Sequence, residues 1–130
     1  MQKLLRALYQ PYKFLVFVPL LGIFTATLGL GAILLSFTVG EKIASYCGVI
    51  WARLLAWSTP MFLTVRGKEN IDRNQSYVVV SNHQSQYDIF ALYGWLGVDF
   101  KWIMKIELRK VPMLGISCEK LGHIYIDRSN

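Results

Sequence analysis

A run of 27 residues without a charged side chain, from Phe14 to Gly40, constrains this chain more than any other feature of its sequence. As a helix it would be about 40 Å long, which exceeds the roughly 30 Å hydrocarbon core of a bilayer. Two alternatives are a secretory signal peptide, whose apolar region is only about 7–15 residues long, and a helix buried in a soluble core. The length of the run favours a membrane-embedded segment.

A second apolar segment follows at residues 41–59, with one interior charge, Arg53. Both segments carry small residues three or four positions apart, a pattern that lets membrane helices pack closely. These are Gly22, Ala26 and Gly29 in the first segment, and Ser45, Gly48, Ala52 and Ala56 in the second. We predict that residues 1–60 form a membrane-embedded two-helix hairpin. Pro19 and Pro60 permit bends, so the hairpin either spans the bilayer or re-enters one leaflet.

The formal net charge is +6, and three basic residues, Lys3, Arg6 and Lys13, precede the uncharged run. The positive-inside rule then places the N-terminus in the cytoplasm, next to anionic lipid. Because a hairpin returns to its starting side, residues after 60 are expected at the cytoplasmic face of the inner or plasma membrane. Basic helices with interleaved aromatic residues are missing from the sequence, so nucleic acid is not an expected partner.

The cysteines and histidines of the chain do not form a recognisable metal motif. Cys47 and Cys118 lack CxxC spacing, and neither His83 nor His123 has a nearby cluster of thiols or carboxylates. We therefore expect neither a disulfide framework nor a metal site.

Residues 61–130 alternate between strand and helix patterns. Strands are predicted at 61–67, 76–81, 99–105 and 123–127, and helices at 87–97 and near 112–121. This order predicts an α/β fold with a mostly parallel sheet. About 65 residues supply only four strands, and the last would be an uncovered edge. We therefore expect residues 61–130 to be the first part of a longer domain.

A polar cluster, "SNHQSQYD", follows the predicted strand 76–81. Reactive groups of α/β folds gather where strands lead into helices. If the loop folds back, Asp88 can bind one imidazole nitrogen of His83 and leave the other nitrogen as a general base. Because "GISCE" at 115–119 is not a nucleophile elbow, the nucleophile would be a substrate hydroxyl. The alternative is that Asp88 only complements a helix N-terminus and that His83 is an ordinary loop residue.

Four ordered segments resemble the glycerolipid acyltransferase family. "NHQSQYD" matches its NHxxxxD block, and "VRGKEN" resembles the strand and turn before that block. "KIELRKVPMLG" and "GHIYIDRSN" resemble the two segments that follow it. An N-terminal membrane hairpin is also typical of the bacterial 1-acylglycerol-3-phosphate acyltransferases in this family. Its later Phe-Pro-Glu-Gly-Thr-Arg-like block is missing from the sequence, which again indicates an N-terminal portion.

The resemblance implies acyl transfer from acyl-CoA or acyl carrier protein to lysophosphatidic acid, without a further cofactor. His83 would deprotonate the acceptor hydroxyl and Asp88 would orient His83. Lys105, Arg128 and Gly122 would bind the substrate, with Lys101 as a weaker candidate, although a lone Lys or Arg is also a common surface residue. Alternatives are a different lysophospholipid acceptor, a non-catalytic module that binds phospholipid head groups, and a hydrolase in which His83 activates water.

Overall fold

The computed structural model describes residues 9–72 and 74–129. Lys3 and Arg6, on which the predicted orientation partly depends, lie outside the described residues. The described part contains four α-helices and two short strands. They are α1 Tyr9–Thr38, α2 Glu41–Trp57, α3 Tyr87–Trp95, β1 Ile103–Lys105, α4 Leu114–Lys120 and β2 Ile124–Ile126. Helix α1 contains a π-helical turn at Lys13–Phe17, and 3₁₀ turns occur at Lys68–Asn70 and Ile106–Lys110.

Helix α1 is the one helix in the described residues that is long and apolar enough to cross a membrane. Large apolar side chains such as Phe14, Leu34 and Phe37 are exposed along it, as expected for a surface that contacts lipid. Helix α2 has 17 residues, is apolar only in part and carries Arg53. The membrane-embedded hairpin at residues 1–60 therefore stays a prediction, while a membrane-compatible α1 is confirmed.

Helices α1 and α2 pack against each other across a tight connection. Gly40 has a φ of +90°, a conformation that glycine adopts at little cost. Ala32 of α1 and Ala44 and Cys47 of α2 lie in one buried cluster. The indole of Trp51 donates a 3.0 Å hydrogen bond to the Thr25 hydroxyl, which joins the two helices near their middle.

Helices α1 and α2 pack closely through small residues as predicted, but several small residues of the predicted faces lie outside this contact. Gly29 faces α4, where a Cβ at position 29 would lie 3.6 Å from the Ser117 hydroxyl. Gly48 is covered by the ring of Tyr93 from α3, and a Cβ at Gly22 would meet nothing within 4 Å. The small residues of α1 and α2 therefore also make room for the helices of residues 61–130.

Strands β1 and β2 form a parallel pair in the register Ile103 to Ile124 and Lys105 to Ile126. Helix α4 connects them, so this part of the chain is a β–α–β unit, as the sequence predicted. Helices α3 and α4 also lie where they were predicted. The strands predicted at 99–105 and 123–127 are each shortened to three residues.

The strands predicted at 61–67 and 76–81 are wrong for this structure. Neither segment forms a helix or a strand, and Val78 and Val80 are 90% and 88% exposed. A strand is stabilised by a neighbouring strand that pairs with its backbone groups, and β-branched residues alone do not provide one. The mostly parallel four-stranded sheet is thus confirmed only as a two-stranded one.

Candidate active site

The polar cluster folds into a turn that begins helix α3. The Ser85 hydroxyl accepts a 3.0 Å hydrogen bond from the Tyr87 N–H, and the Ser85 carbonyl accepts one of 3.2 Å from the Asp88 N–H. Asp88 lies in the first turn of the helix, where the helix dipole favours a negative charge. Local hydrogen bonding by Ser85 and Asp88 therefore explains why the chain reverses here.

His83 and Asp88 come together as the sequence predicted. Oδ2 of Asp88 lies 3.3 Å from Nδ1 of His83. The same oxygen accepts the backbone N–H groups of Gln84 at 2.6 Å and Ser85 at 2.8 Å. A carboxylate at Nδ1 favours the tautomer with the proton on Nδ1, which leaves Nε2 free to accept another proton. The His83 side chain is 60% exposed, so a substrate can reach it.

The hydrogen bonds around Asp88 keep its carboxylate charged. The N–H groups of Ser85 and Gln84 lower the pKa of the Asp88 carboxyl below its ordinary value of 3.8, and the neighbouring His83 lowers it further. All of these groups stabilise the ionised form. Asp88 is therefore an anion near neutral pH and can stabilise a positive charge that develops on His83.

An apolar cleft of about 490 Å³ opens beside Asp88. Its lining includes Tyr9 from α1, the segment that leaves α2, and the first turns of α3. The hydroxyls of Tyr9 and Tyr87 lie 3.3 Å apart on its wall. The cleft therefore extends from the long apolar helix to Asp88.

Lys105 and Arg128 lie at the same edge of the parallel strand pair. Lys105 is the last residue of β1, and Arg128 follows the end of β2 by two residues. Both side chains are exposed. Lys101 lies before β1 and is paired with Asp99, with 3.6 Å between Nζ and Oδ2. The carboxyl ends of β1 and β2 thus carry two cations together with the carboxylates of Glu107 and Asp127, and no hydrogen bond or ion pair in the described residues joins Lys105 or Arg128 to His83.

Gly122 lies in the turn between α4 and β2. Its φ is +74°, and its N–H bonds to the Glu119 carbonyl at 3.1 Å. A Cβ at this position would lie 2.9 Å from Oε2 of Glu41. Backbone conformation and packing are sufficient reasons for a glycine here, and its predicted role in substrate binding stays a prediction.

The remaining candidate nucleophiles and ligands are buried. Burial raises the pKa of Cys118 to about 11, so it carries a thiol rather than a reactive thiolate. Burial also lowers the pKa of His123 from 6.5 to about 4, with Lys101 as a second cause. Within residues 9–72 and 74–129, no three His, Cys, Asp or Glu side chains come together as metal ligands.

Sequence reasoning missed Tyr93 and the structural use of His123. Tyr93 lies against Phe100, Trp102 and His123, with ring centroids 5.8–6.0 Å apart. The sequence indicates no role for His123 beyond that of a possible metal ligand, because nothing near it shows which residues cover it. The aromatic residues of "YDIFALYGW" were the available signal, since a helix with so many aromatic side chains has to be covered on several faces.

Comparison with known proteins identifies the family to which the chain is similar. The family model described as Acyltransferase matches residues 62–130. A 1-acyl-sn-glycerol-3-phosphate acyltransferase of Chlamydomonas reinhardtii is 30% identical over 129 residues, which is 97% of this chain and 37% of the relative. The human 1-acyl-sn-glycerol-3-phosphate acyltransferase alpha is 41% identical over 64 residues, which is 49% of this chain and 23% of the relative. No solved structure matches the chain significantly.

The described residues thus form a helix long and apolar enough to cross a membrane, a β–α–β unit and a His–Asp pair at the start of a helix, which is the candidate active site of an α/β protein. With the family model matched over residues 62–130, this chain belongs to the acyltransferase family and resembles the N-terminal portion of 1-acyl-sn-glycerol-3-phosphate acyltransferases. It spans well under half of the length of these relatives.

Proposed function

We propose that this chain takes part in the transfer of an acyl group from a thioester, acyl-CoA or acyl carrier protein, to the free hydroxyl of lysophosphatidic acid. The product would be phosphatidic acid, a phospholipid precursor. The observation that carries the proposal is the 3.3 Å contact between His83 Nδ1 and an Asp88 oxygen that two backbone N–H groups hold in place. The names of the relatives support lysophosphatidic acid as the acceptor.

In the proposed reaction His83 moves one proton twice. Nε2 of His83 takes the proton of the acceptor hydroxyl while the hydroxyl oxygen bonds to the thioester carbonyl carbon. The Asp88 carboxylate stabilises the imidazolium that results. Collapse of the tetrahedral intermediate breaks the carbon–sulfur bond, and the imidazolium returns the proton to the departing thiolate. Positioned general-base catalysis of this kind contributes about 10²–10⁴-fold to a rate.

Lys105 and Arg128 are the proposed phosphate ligands, and Gly122, also proposed to bind substrate, lies at the opposite, amino end of the strands. Support comes from the parallel register, which brings the two cations to one edge, where each can attract a phosphate dianion. Both are exposed, so they can also be reached from solution. If they bind the phosphate, Lys105→Gln should raise KM for lysophosphatidic acid more than KM for the acyl donor.

The assay that tests this function uses the purified chain in lipid nanodiscs with a labelled acyl thioester and lysophosphatidic acid. We expect labelled phosphatidic acid and free thiol in equal amounts. Release of labelled fatty acid without phosphatidic acid would indicate the hydrolase instead. Binding of lysophosphatidic acid without turnover would indicate the head-group module.

The proposed location is the cytoplasmic face of a membrane, with α1 lying within one leaflet. Support comes from contacts near both ends of α1. The Tyr9 hydroxyl lies next to that of Tyr87, and Lys120 Nζ lies 4.5 Å from the ring centroid of Phe37. A helix of 30 residues is about 45 Å long, so a spanning α1 would separate these two contacts by the whole bilayer. Lys120 and the polar start of α3 would both stay on the aqueous side if α1 lies in the interface.

Labelling with membrane-impermeant reagents in sealed inverted vesicles tests this location. Cysteines introduced at Gln10 and at Val39, which are both exposed, should react from the same face of the membrane. A Ser58→Cys variant, at the end of α2, is the reference for that face. Reaction of the two introduced cysteines from opposite faces would show that α1 spans the bilayer.

A further inference from the structure

Tyr93 connects three parts of the molecule whose relative positions matter for the proposed reaction. It projects from α3, the helix that carries Asp88, onto Gly48 of α2. Its ring also contacts Trp102, which directly precedes β1, and His123, which directly precedes β2. Tyr93 therefore joins α3, the helix that carries Asp88, to α2 and to the residues before the two strands.

The contact between Tyr93 and Gly48 leaves no space. A Cβ at position 48 would overlap both the hydroxyl and the ring of Tyr93. Gly48 is in the middle of an α-helix, where glycine costs about 1 kcal/mol relative to alanine. Helical conformation does not call for a glycine there, so the space that it leaves for Tyr93 is its structural role.

His123 fixes the other side of Tyr93. Nδ1 of His123 accepts the Trp102 N–H at 3.3 Å, so the proton of the neutral ring is on Nε2. Nε2 lies 3.4 Å from the Tyr93 hydroxyl and donates to it. One buried imidazole thus joins the start of both strands to α3.

We propose that Tyr93 is a positioning residue for acyl transfer. Its packing against Gly48 and its hydrogen bond from His123 hold α3, the helix that carries Asp88, in place against α2. Helix α3 has nine residues, and Asp88 and Tyr93 lie about 7.5 Å apart along its axis. Asp88 in turn holds the loop of His83 through the N–H groups of Gln84 and Ser85. This inference rests on the proposed acyl-transfer function.

The test combines NMR spectra of the histidine rings with acyl-transfer kinetics, both measured on the full chain in nanodiscs. The chain has two histidines, so ¹⁵N-histidine NMR reports the rings of His83 and His123. Gly48→Ala should shift the signals of both rings. It should also lower kcat by about 10–100-fold with little change in KM, since misplacement of about 1 Å can cost a factor of that size. Gly22→Ala is the matched control, because a Cβ there meets nothing within 4 Å, and it should change neither ring nor kcat.

A second pair of variants tests whether Gly48 and Tyr93 act together. Tyr93→Leu removes the ring that a Cβ at position 48 would strike. The double variant Gly48→Ala with Tyr93→Leu should therefore be no worse in kcat than Tyr93→Leu alone. The proposal would be overturned if the kcat losses of the two single variants multiplied in the double variant. It would also be overturned if a folded Gly48→Ala chain kept the parent's His83 NMR signals and kcat.

Tyr93→Phe keeps the test decisive if Gly48→Ala does not fold. It retains the ring on Gly48 and removes only the partner of His123 Nε2. The His123 signal should move, and kcat should fall without a matching rise in KM. An unchanged kcat and an unchanged His83 ring in Tyr93→Phe would overturn the inference. If the parent chain shows no acyl transfer, the proposed function fails, whereas the ring spectra still decide whether Tyr93 positions His83.

Discussion

Arg53 donates a 2.8 Å hydrogen bond from Nε to the carbonyl of Gly94, near the C-terminal end of α3. Its guanidinium also lies 5.7 Å from the ring centroid of Trp95. The last carbonyls of a helix have no partner within the helix and favour a positive charge. The single charge inside the second apolar segment therefore serves to attach α3 to α2.

Arg53→Ala should lower the free energy of unfolding by about 1–3 kcal/mol. A hydrogen bond from a charged donor and a cation–π contact are both lost, and the Gly94 carbonyl loses its partner. Denaturant unfolding in a mild detergent measures the effect. Lys42→Ala, which removes an exposed cation from the same helix, should change stability by less than about 0.5 kcal/mol. Equal losses in the two variants would contradict the attachment.

His83→Ala and Asp88→Asn should each lower kcat by about 10²–10⁴-fold, because the first removes the base and the second disturbs its tautomer. The double variant should be little worse than the worse single one, since the two residues act as a unit. Asp72→Asn is the matched control, because Asp72 also accepts a backbone N–H, from Asn74 at 2.9 Å, in another turn. Near-normal turnover in a folded His83→Ala chain would refute the base.

Stability should depend on pH through His123. Its pKa is lowered to about 4 in the folded chain by burial and by Lys101, against an opposing effect of Asp99. The unfolded chain therefore binds a proton at about pH 6.5 that the folded chain takes up only near pH 4. Stability is full above the higher value and falls as the pH drops between the two, by at most about 1.4 kcal/mol per unit.

Chemical denaturation at several pH values between 4 and 8 measures this dependence. His123→Asn removes the titrating ring and should flatten the slope between pH 6.5 and 4. Its absolute stability will be lower at pH 7.5, because the hydrogen bonds to Trp102 and Tyr93 change. An unchanged slope in this variant would assign the pH dependence to other groups.

Gly122→Ala should destabilise the chain by roughly 1–2 kcal/mol, because a left-handed backbone is unfavourable for a residue with a Cβ. Gly97→Ala is the control: its φ is +82°, and a Cβ there would meet no atom closer than 3.9 Å. A larger loss at Gly122 than at Gly97 would measure the crowding against Glu41. A rise in KM for lysophosphatidic acid without a loss of stability would instead support the predicted substrate role of Gly122.

Features that depend on residues close together in the sequence could be predicted from the sequence alone. Helix α3 has polar residues at its start and Gly97 after its end, and the His83–Asp88 pair lies within one turn of the chain. The β–α–β unit was also predictable, because a helix that connects two strands favours a parallel pair.

Features that depend on distant partners were not predictable. The valines of segment 76–81 favour an extended chain but do not specify a partner strand. The small residues of α2 predicted close packing, yet nothing local shows that Tyr93, 45 residues further on, covers Gly48. The same holds for His123, whose partner Tyr93 lies on α3, 30 residues earlier in the sequence.

The π-helical turn at Lys13–Phe17 sets the rotational phase of the first turns of α1. A π turn adds about one residue to a helical turn, which offsets the preceding residues by about 100° relative to a continuous α-helix. Tyr9 and Tyr12 precede this turn and reach Tyr87 and the Ser58 carbonyl. Deleting one residue within Lys13–Phe17 would restore a regular α-helix and rotate both tyrosines away, although every residue that they contact would be unchanged. The length of this short segment, as much as its composition, therefore determines which face of α1 meets the cleft.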